Sequence, residues 1–177
     1  MRKTIIYIAM SIDGYIADKN NGVSWLGGDN SEPESMGSFF SFFETIDTVI
    51  LGWKTYSQII NELSPEEWPY KGKKTYVLTH RSVEDTQDIS FISIENLTDF
   101  IEELKKESGS NIWICGGANI IHQVLESKSF DRLHISVMPV VLGDGVPLFS
   151  RISDSILLKL IHTEVSNGIT ELVYEIR

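Results

Sequence analysis

The chain has 177 residues, and 42% of them are hydrophobic, which is enough for one folded domain with a sizeable core. Its 25 acidic residues outnumber its 15 Lys and Arg residues, and the formal net charge of −10 excludes nucleic acid and anionic membrane surfaces as main partners. No apolar run approaches the roughly 18 residues that a membrane helix requires, and the N-terminus lacks the pattern of a signal peptide. We therefore expect a cytoplasmic protein with a single domain over residues 1–177.

The single cysteine, Cys115, excludes an internal disulfide. The four histidines lie far apart in sequence, and none has a Cys or His neighbour at ligand spacing, so we predict no metal site. Cys115 directly precedes a predicted helix, whose N-terminus could lower the thiol pKa and make it a nucleophile. The alternative is an inert cysteine buried in a strand.

Over most of the chain, short runs rich in Ile, Val and Tyr alternate with segments of helical period. This alternation predicts a largely parallel sheet with helices on its faces. The predicted strands are 4–10, 47–52, 74–79, 89–94 and 111–115. The predicted helices are 32–45, 54–63, one that carries Leu97, Phe100, Ile101 and Leu104, and one that follows Gly117.

The helix over 32–45 is predicted from capping-box spacing between Ser31 and Glu34 and from Pro33 at an early helical position. After residue 130 the pattern changes to alternation of apolar and polar residues. We predict strands near 133–138, 156–162 and 172–176 without crossover helices between them. The C-terminal third is therefore expected to be antiparallel at the sheet edge.

Four of the predicted parallel strands end in a similar way, with glycines, hydroxyls or cations. The segments that follow them are Ser11-Ile-Asp-Gly14, Gly52-Trp-Lys-Thr55, Thr79-His-Arg81 and Gly116-Gly-Ala-Asn119. Because ligands bind beyond the carboxyl ends of parallel strands, these segments predict a cradle for a phosphorylated dinucleotide. For Lys54 and Arg81 the alternative is a solvated surface charge.

The segment with the most information is Gly116-Gly117, which joins an apolar strand to a helix. Without a Cβ the backbone can approach a ligand closely, and the amides of the first helical turn are then free to bind an anion. An ordinary tight turn that lets the helix pack on the sheet explains the two glycines equally well. The pattern is neither a dinucleotide fingerprint nor a P-loop.

The chain resembles the dihydrofolate reductase-like superfamily, and more closely its branch that contains the reductase domain of bacterial riboflavin biosynthesis and its stand-alone relatives. The segments that carry the resemblance are Met10–Ala17, Ile50–Tyr56, Ile114–Asn119 and Pro139–Phe149. The resemblance implies a three-layer α/β fold, with a mixed, mainly parallel central sheet, antiparallel C-terminal strands and helices on both faces. It also implies NADPH as cofactor and a homodimer.

By this resemblance the pyrophosphate of NADPH lies at Gly116–Ile120 and the adenosine 2′-phosphate near Lys54–Thr55 and Thr79–Arg81, while Ala9 and Ile16 flank the nicotinamide. The implied cofactor-binding residues are Ala9, Ile16, Gly52, Trp53, Lys54, Thr55, Leu78, Thr79, His80, Arg81, Cys115, Gly116, Gly117, Ala118, Asn119 and Ile120. Many relatives carry Arg where this chain has Trp53. The preference for NADPH over NADH is therefore left open.

Asp13 is the residue that we expect to take part in the chemistry. Reduction of a C=N or C=O group needs a hydride on one atom and a proton on its neighbour, and a carboxyl group at the mouth of the pocket could orient substrate and relay the proton. The matching Asp in riboflavin-type reductases lies in the substrate site. The alternative is a side chain that only hydrogen-bonds its own Asp-Gly turn.

Trp25 and Phe40 complete the expected substrate site. Trp25 either stacks on a flat heterocycle or closes the core, and Phe40 is one of four phenylalanines that cannot all share one helix stripe. The segment after Trp25 lacks the Trp-x-x-Pro pattern of dihydrofolate reductases.

The expected function is an NADPH-dependent oxidoreductase acting on a C=N or C=O bond, with a pyrimidine- or pterin-like substrate. The nearest activity is 5-amino-6-(5-phosphoribosylamino)uracil reductase; the alternatives are dihydrofolate reductase and a non-catalytic NADP-binding module.

Overall fold

A computed structural model describes residues 2–32 and 38–177. Its strands are β1 Thr4–Ser11, β2 Tyr15–Asp18, β3 Ile46–Gly52, β4 Lys74–Leu78, β5 Ile89–Ile92, β6 Asn111–Gly116, β7 Arg132–Met138, β8 Gly145–Pro147, β9 Leu158–Ser166 and β10 Ile169–Ile176. Its helices are α1 Phe39–Glu44, α2 Trp53–Gln58, α3 Leu97–Lys106 and α4 Ala118–Glu126. A π-helical turn, Ile59–Leu63, continues α2.

The central sheet has eight strands in the order β5-β4-β3-β6-β1-β7-β10-β9. The pairs from β5 to β7 are parallel, whereas β10 pairs antiparallel with both β7 and β9. The predicted mainly parallel sheet with an antiparallel C-terminal edge is therefore confirmed. β2 and β8 form a separate antiparallel pair that the sequence pattern did not predict.

The two faces of the sheet carry separate apolar cores. Residues of α3 and α4 cover one face, where Ile6, Ile50 and Ile114 are fully buried. The other face packs Tyr7 and Trp113 with residues of α1 and α2. Because successive side chains of a strand point to opposite faces, a strand covered on both sides is apolar throughout, as the first strand shows.

Helix α3 forms as its sequence predicts. The Asn96 side chain caps it by accepting hydrogen bonds from the amides of Thr98 and Asp99 at 3.0 and 3.3 Å. Leu97, Ile101 and Leu104 are buried on its inner face.

The predicted helix over 32–45 is too long at its start. Ser31 and Glu32 lie in bends, and the described helix begins at Phe39, with Ser38 as an N-cap that makes no side-chain capping bond. The predicted capping partner Glu34 and the helical position of Pro33 lie outside the described residues. Glu32 instead accepts hydrogen bonds from Ser166 and Asn167, so it belongs to a loop that contacts the β9–β10 turn.

Candidate active site

The four strand ends singled out from the sequence lie side by side. β4, β3, β6 and β1 are consecutive and parallel, and Gly52 is in register with Leu78 while Leu51 is in register with Gly116. Ser11 ends β1 at the same edge. The predicted meeting of these segments at one sheet edge is therefore what the fold produces.

The Gly116-Gly117 turn brings β6 close to the start of α2. The peptide bond between the two glycines is cis, Gly116 has a φ of +132°, and Gly117 is the N-cap of α4. A Cβ on Gly117 would lie 3.0 Å from the Thr55 hydroxyl, and a Cβ on Gly52 would lie 3.3 Å from Ile120. At both positions a Cβ would require its neighbour to move by a few tenths of an ångström, so the two glycines let the turn pack closely against α2 and α4.

The first turn of α4 has no side-chain cap. The amides of Ile120 and Ile121 both donate to the Gly117 carbonyl, at 3.0 and 3.1 Å, so the amides offered to an anion are those of Ala118 and Asn119. The Asn119 side chain is exposed and carries no charge. An uncapped helix N-terminus beside two glycines presents backbone N–H groups to an anion.

Two cations, Lys54 and Arg81, follow β3 and β4, and β3 lies between β4 and β6 in the sheet. They differ in their contacts. The guanidinium of Arg81 lies over the Trp53 ring, 5.0 Å from its centroid, and the Arg81 amide donates to Thr79 Oγ1 at 3.1 Å. Lys54 is exposed. His80 is also exposed, and its Nδ1 lies 2.7 Å from Ser93 Oγ, so its ring is held toward β5.

Asp13 is exposed, and both of its carboxylate oxygens bind backbone amides of the loop after β7. Leu142 N donates to Oδ1 at 3.1 Å and Gly143 N to Oδ2 at 2.7 Å. A hydrogen bond from the Ser11 side chain and these two amides lower the pKa of Asp13 to about 2. These contacts favour the ionised carboxylate of Asp13. Its expected roles in orienting substrate and in relaying a proton stay predictions.

The loop 140–145 lies in the Pro139–Phe149 motif, but the sequence did not indicate that its amides bind Asp13. Ile12 N donates to Val140 O at 2.9 Å, and Leu148 N donates to Gly14 O at 2.8 Å, so the two loops are fastened on both sides of Asp13. The Pro139–Phe149 motif was the available signal, but an amide partner 130 residues away cannot be identified from spacing.

The other predicted site residues are spread around the same sheet edge. Ala9 is half-buried on β1, and Ile16 on β2 packs against the α3 and α4 core. The indole of Trp25 donates to Gly22 O at 3.1 Å and is half-buried, so its ring is fixed in its own loop. Phe40 is 55% exposed, whereas Phe42 is buried.

The Cys115 side chain is partly buried and packs among aromatic residues. Burial raises the pKa of its thiol to about 12, opposite to the change that a nucleophile needs, and its sulfur lies 3.7 Å from the Tyr70 hydroxyl among aromatic side chains. The structure therefore favours the second interpretation, in which Cys115 packs against the core on the α1 and α2 face.

A cavity of about 340 Å³ lies elsewhere, between the start of α3 and the second half of α4. Glu95 and Glu126 line it together with His122, whose Nδ1 lies 2.9 Å from Ser150 Oγ. Two carboxylates make it a poor site for a phosphorylated ligand.

Among residues 2–32 and 38–177 no three His, Cys, Asp or Glu side chains are grouped to hold a metal ion. No helix in the same residues is long and apolar enough to cross a membrane.

Comparison with known proteins relates the whole chain to one family. Residues 2–173 match the RibD C-terminal domain family. "Uncharacterized protein YwjB" of Bacillus subtilis (strain 168) is 40% identical over 175 residues, covering 98% of this chain and 97% of that protein.

Three solved structures share the fold. A protein of Shewanella sp. PV-4, described as "Putative riboflavin biosynthesis protein", superposes with a TM-score of 0.85 at 29% identity, covering 99% of each chain. The diaminohydroxyphosphoribosylaminopyrimidine deaminase/5-amino-6-(5-phosphoribosylamino)uracil reductase of Thermotoga maritima gives 0.71 at 13% identity, over 99% of this chain and 57% of that one. Dihydrofolate reductase of Enterococcus faecalis complexed with NADP(H) gives 0.67 at 16% identity, over 98% and 96%.

These similarities confirm the resemblance inferred from the four sequence segments. The last two structures establish the dihydrofolate reductase-like fold alone, because their sequence identity is low. The family match and the relative of 40% identity extend over nearly all of the chain. The chain belongs to the RibD C-terminal domain family and has the dihydrofolate reductase-like fold.

Proposed function

We propose that this protein is an NADPH-dependent reductase that transfers a hydride to a C=N or C=O bond of a pyrimidine- or pterin-like heterocycle. The observation that carries the proposal is the strand-end cradle, in which the Gly116-Gly117 turn, Thr55 and the Trp53–Arg81 pair meet at one sheet edge. The NADP(H) named with the Enterococcus dihydrofolate reductase of the same fold supports the choice of cofactor.

The residues of this chain suit the cofactor. A Cβ at Gly117 would crowd the Thr55 hydroxyl at 3.0 Å, so glycine suits a backbone that must also approach a pyrophosphate, and the uncapped first turn of α4 would supply N–H groups. Arg81 and Lys54 would pair with the 2′-phosphate, while Thr55 and Asn119 would bind phosphate oxygens. Ala9 and Ile16 would flank the nicotinamide.

When bound, NADPH would supply the hydride. The chain's own contribution is to hold substrate and cofactor together and to provide polar partners at the reacting bond. Asp13, ionised and held by two backbone amides, would accept a hydrogen bond from the substrate at the mouth of the pocket. Trp25 and Phe40 would supply flat apolar surface against the heterocycle.

The nearest activity is reduction of 5-amino-6-(5-phosphoribosylamino)uracil. The family match and the named activity of the Thermotoga structure support it. Dihydrofolate is the second substrate to test, because a dihydrofolate reductase shares the fold over nearly the whole chain.

We also propose that the protein forms a homodimer. β9 is the edge strand of the sheet, and it exposes Leu160 at 47% and Val165 at 68%, next to Leu157 at 65%. An exposed apolar edge strand is a surface that pairs with another chain. Light scattering coupled to gel filtration tests this directly, and a monomeric mass at micromolar concentration would refute it.

Steady-state NADPH oxidation against the uracil substrate, dihydrofolate and other pterins and aminopyrimidines tests the activity. The proposal predicts oxidation that requires one of these heterocycles. Tight NADPH binding with no oxidation by any of them would instead indicate a non-catalytic NADP-binding module.

A further inference from the structure

A buried polar cluster lies under α1, outside every residue assigned so far. Its centre is the Glu171 carboxylate, with Ser136 Oγ at 2.9 and 2.8 Å from its two oxygens and His134 Nε2 at 2.7 Å from Oε2. The Tyr7 hydroxyl lies 3.4 Å from Ser136 Oγ and 3.0 Å from Ser38 Oγ. Glu171 is only 6% exposed, and it is the one buried acidic residue in the described part of the chain.

Among the described residues, the Glu171 carboxylate has few hydrogen-bond partners for its burial. Its two oxygens offer about four acceptor positions, but the Ser136 hydroxyl has one proton to donate and His134 Nε2 contributes at most one more. Within residues 2–32 and 38–177 no Lys or Arg forms an ion pair with it. The buried Arg2, by contrast, contacts the Asp47 carboxylate and the carbonyls of Ser110 and Leu104. A buried carboxylate without a fixed cation is costly, so further donors from a ligand would stabilise it.

The cluster lies beside the residue expected to flank the nicotinamide. Ala9 on β1 is in register with Ser136 on β7, and Ser136 is in register with Glu171 on β10. Side chains of such a row point to one face, and neighbouring strands are about 4.8 Å apart. A flat ring placed next to the nicotinamide over Ala9 would therefore extend across Ser136 toward Glu171.

Two described segments lie near this row: α1, which contacts Tyr7 and His134, and the loop that contains Trp25. The Phe42 ring of α1 stacks on Tyr7 with centroids 4.4 Å apart. The loop that contains Trp25 continues to Asp29, whose amide donates to Asn167 O at 3.0 Å in the β9–β10 turn. Aromatic side chains beside the polar Ser136 and Glu171 suit a flat heterocycle with polar edges.

We propose that Glu171 anchors the substrate and that this substrate is a planar heterocycle with two adjacent N–H donors, such as an aminopyrimidine or pterin edge. Two parallel N–H groups match the two oxygens of a carboxylate. Ser136 and His134 are positioning residues that hold the carboxylate in place. This inference rests on the proposed reductase function and adds to it the substrate edge that is recognised.

Calorimetric titration of the full-length protein with NADPH bound, using two small probes, tests the anchor. The probe 4,5-diaminopyrimidine has amino groups on neighbouring carbons and so presents adjacent N–H donors, and 4,5-dimethoxypyrimidine has the same ring without them. We expect the wild-type protein to bind the diamino ring at least tenfold more tightly, and Glu171→Gln to remove that preference. Glu164→Gln is the matched control, because Glu164 is in register with Glu171 on β9 but is exposed. It should keep the preference, and all three proteins should bind NADPH equally.

Wild-type protein that binds both probes alike would overturn the anchor, whether or not Glu171→Gln folds. A preference that survives in a folded Glu171→Gln variant would also overturn it, while NADPH oxidation in the wild type would leave the reductase proposal standing. If NADPH does not bind, the reductase proposal fails, and the same two probes with the free protein still test Glu171.

Discussion

Arg81 lies with its guanidinium over the ring of Trp53, 5.0 Å from the ring centroid. Trp53 is itself held between Tyr56 and Phe91, with ring centroids 5.5 and 6.3 Å away, so the cation rests on a fixed platform. This explains how the chain can place a positive charge at the end of β3 although the residue after Gly52 is Trp. The pairing makes Arg81 the principal cation expected for the 2′-phosphate of NADPH.

Replacing Arg81 by Ala should therefore weaken NADPH binding at least tenfold, about 1.4 kcal/mol, while NADH binding changes little. The physical reason is that a charged hydrogen bond to a phosphate is lost, and NADH lacks that phosphate. Calorimetric titration with both nucleotides measures the difference. Arg151→Ala is the control, because Arg151 is also exposed but lies in a different loop. Equal losses for NADPH and NADH in Arg81→Ala would place the 2′-phosphate elsewhere.

Gly117→Ala should reduce NADPH affinity at least tenfold. Its Cβ would lie 3.0 Å from Thr55 Oγ1, which forces Thr55 or the turn to move just where the pyrophosphate is expected. Gly27→Ala is the control, because a Cβ at Gly27 has no neighbour within 4 Å. Unchanged NADPH affinity in a folded Gly117→Ala variant would show that the two glycines form only a tight packing turn.

Asp13→Asn should lower turnover at least tenfold and leave NADPH affinity nearly unchanged, because the change removes the charge that faces substrate. The pKa of Asp13 is lowered to about 2, so the stabilisation from its ionised form is present above about pH 4 and is lost as the pH falls toward 2. Its titration should accordingly leave no step in the turnover profile between pH 5 and pH 8. Asp144→Asn is the control, since among the described residues that carboxylate accepts a hydrogen bond from the Gly145 amide of its own loop. Equal losses of turnover and NADPH affinity in Asp13→Asn would make Asp13 a loop-shaping residue.

Cys115 should react with thiol reagents at pH 8 at least 100-fold more slowly than an exposed cysteine, because its thiol is buried and stays protonated. The raised pKa, about 12, means that the thiol stabilises the folded state fully below the ordinary value near 9 and that this stabilisation is lost as the pH rises toward 12. Labelling followed by mass spectrometry gives the rate. Fast labelling of the folded protein would contradict the burial.

The order of elements and the strand ends could be predicted because they depend on local signals. Apolar runs such as Thr4–Met10 identify buried strands, and glycines or hydroxyls mark where strands end. The start of α1 could not be predicted from its cap pattern, because Glu32 is bound instead by the distant Ser166 and Asn167. Local propensity decides a helix end only where tertiary contacts do not compete.

Candidate site residues could be predicted only where a single segment of the sequence identifies them. Gly116-Gly117 and Arg81 stand out in the sequence, but the amide partners of Asp13 are on a loop about 130 residues away. Glu171 is hidden for a different reason. A glutamate in an alternating strand indicates a solvent-facing position, and only the register of β10 with β7 shows that its carboxylate lies under α1 beside Ser136.

Calorimetric titration of the wild-type protein with NADPH is the most direct test of the account. Binding at one NADPH per chain, tighter than that of NADH, is the result that the strand-end cradle predicts. Failure of NADPH to bind at millimolar concentration would contradict it.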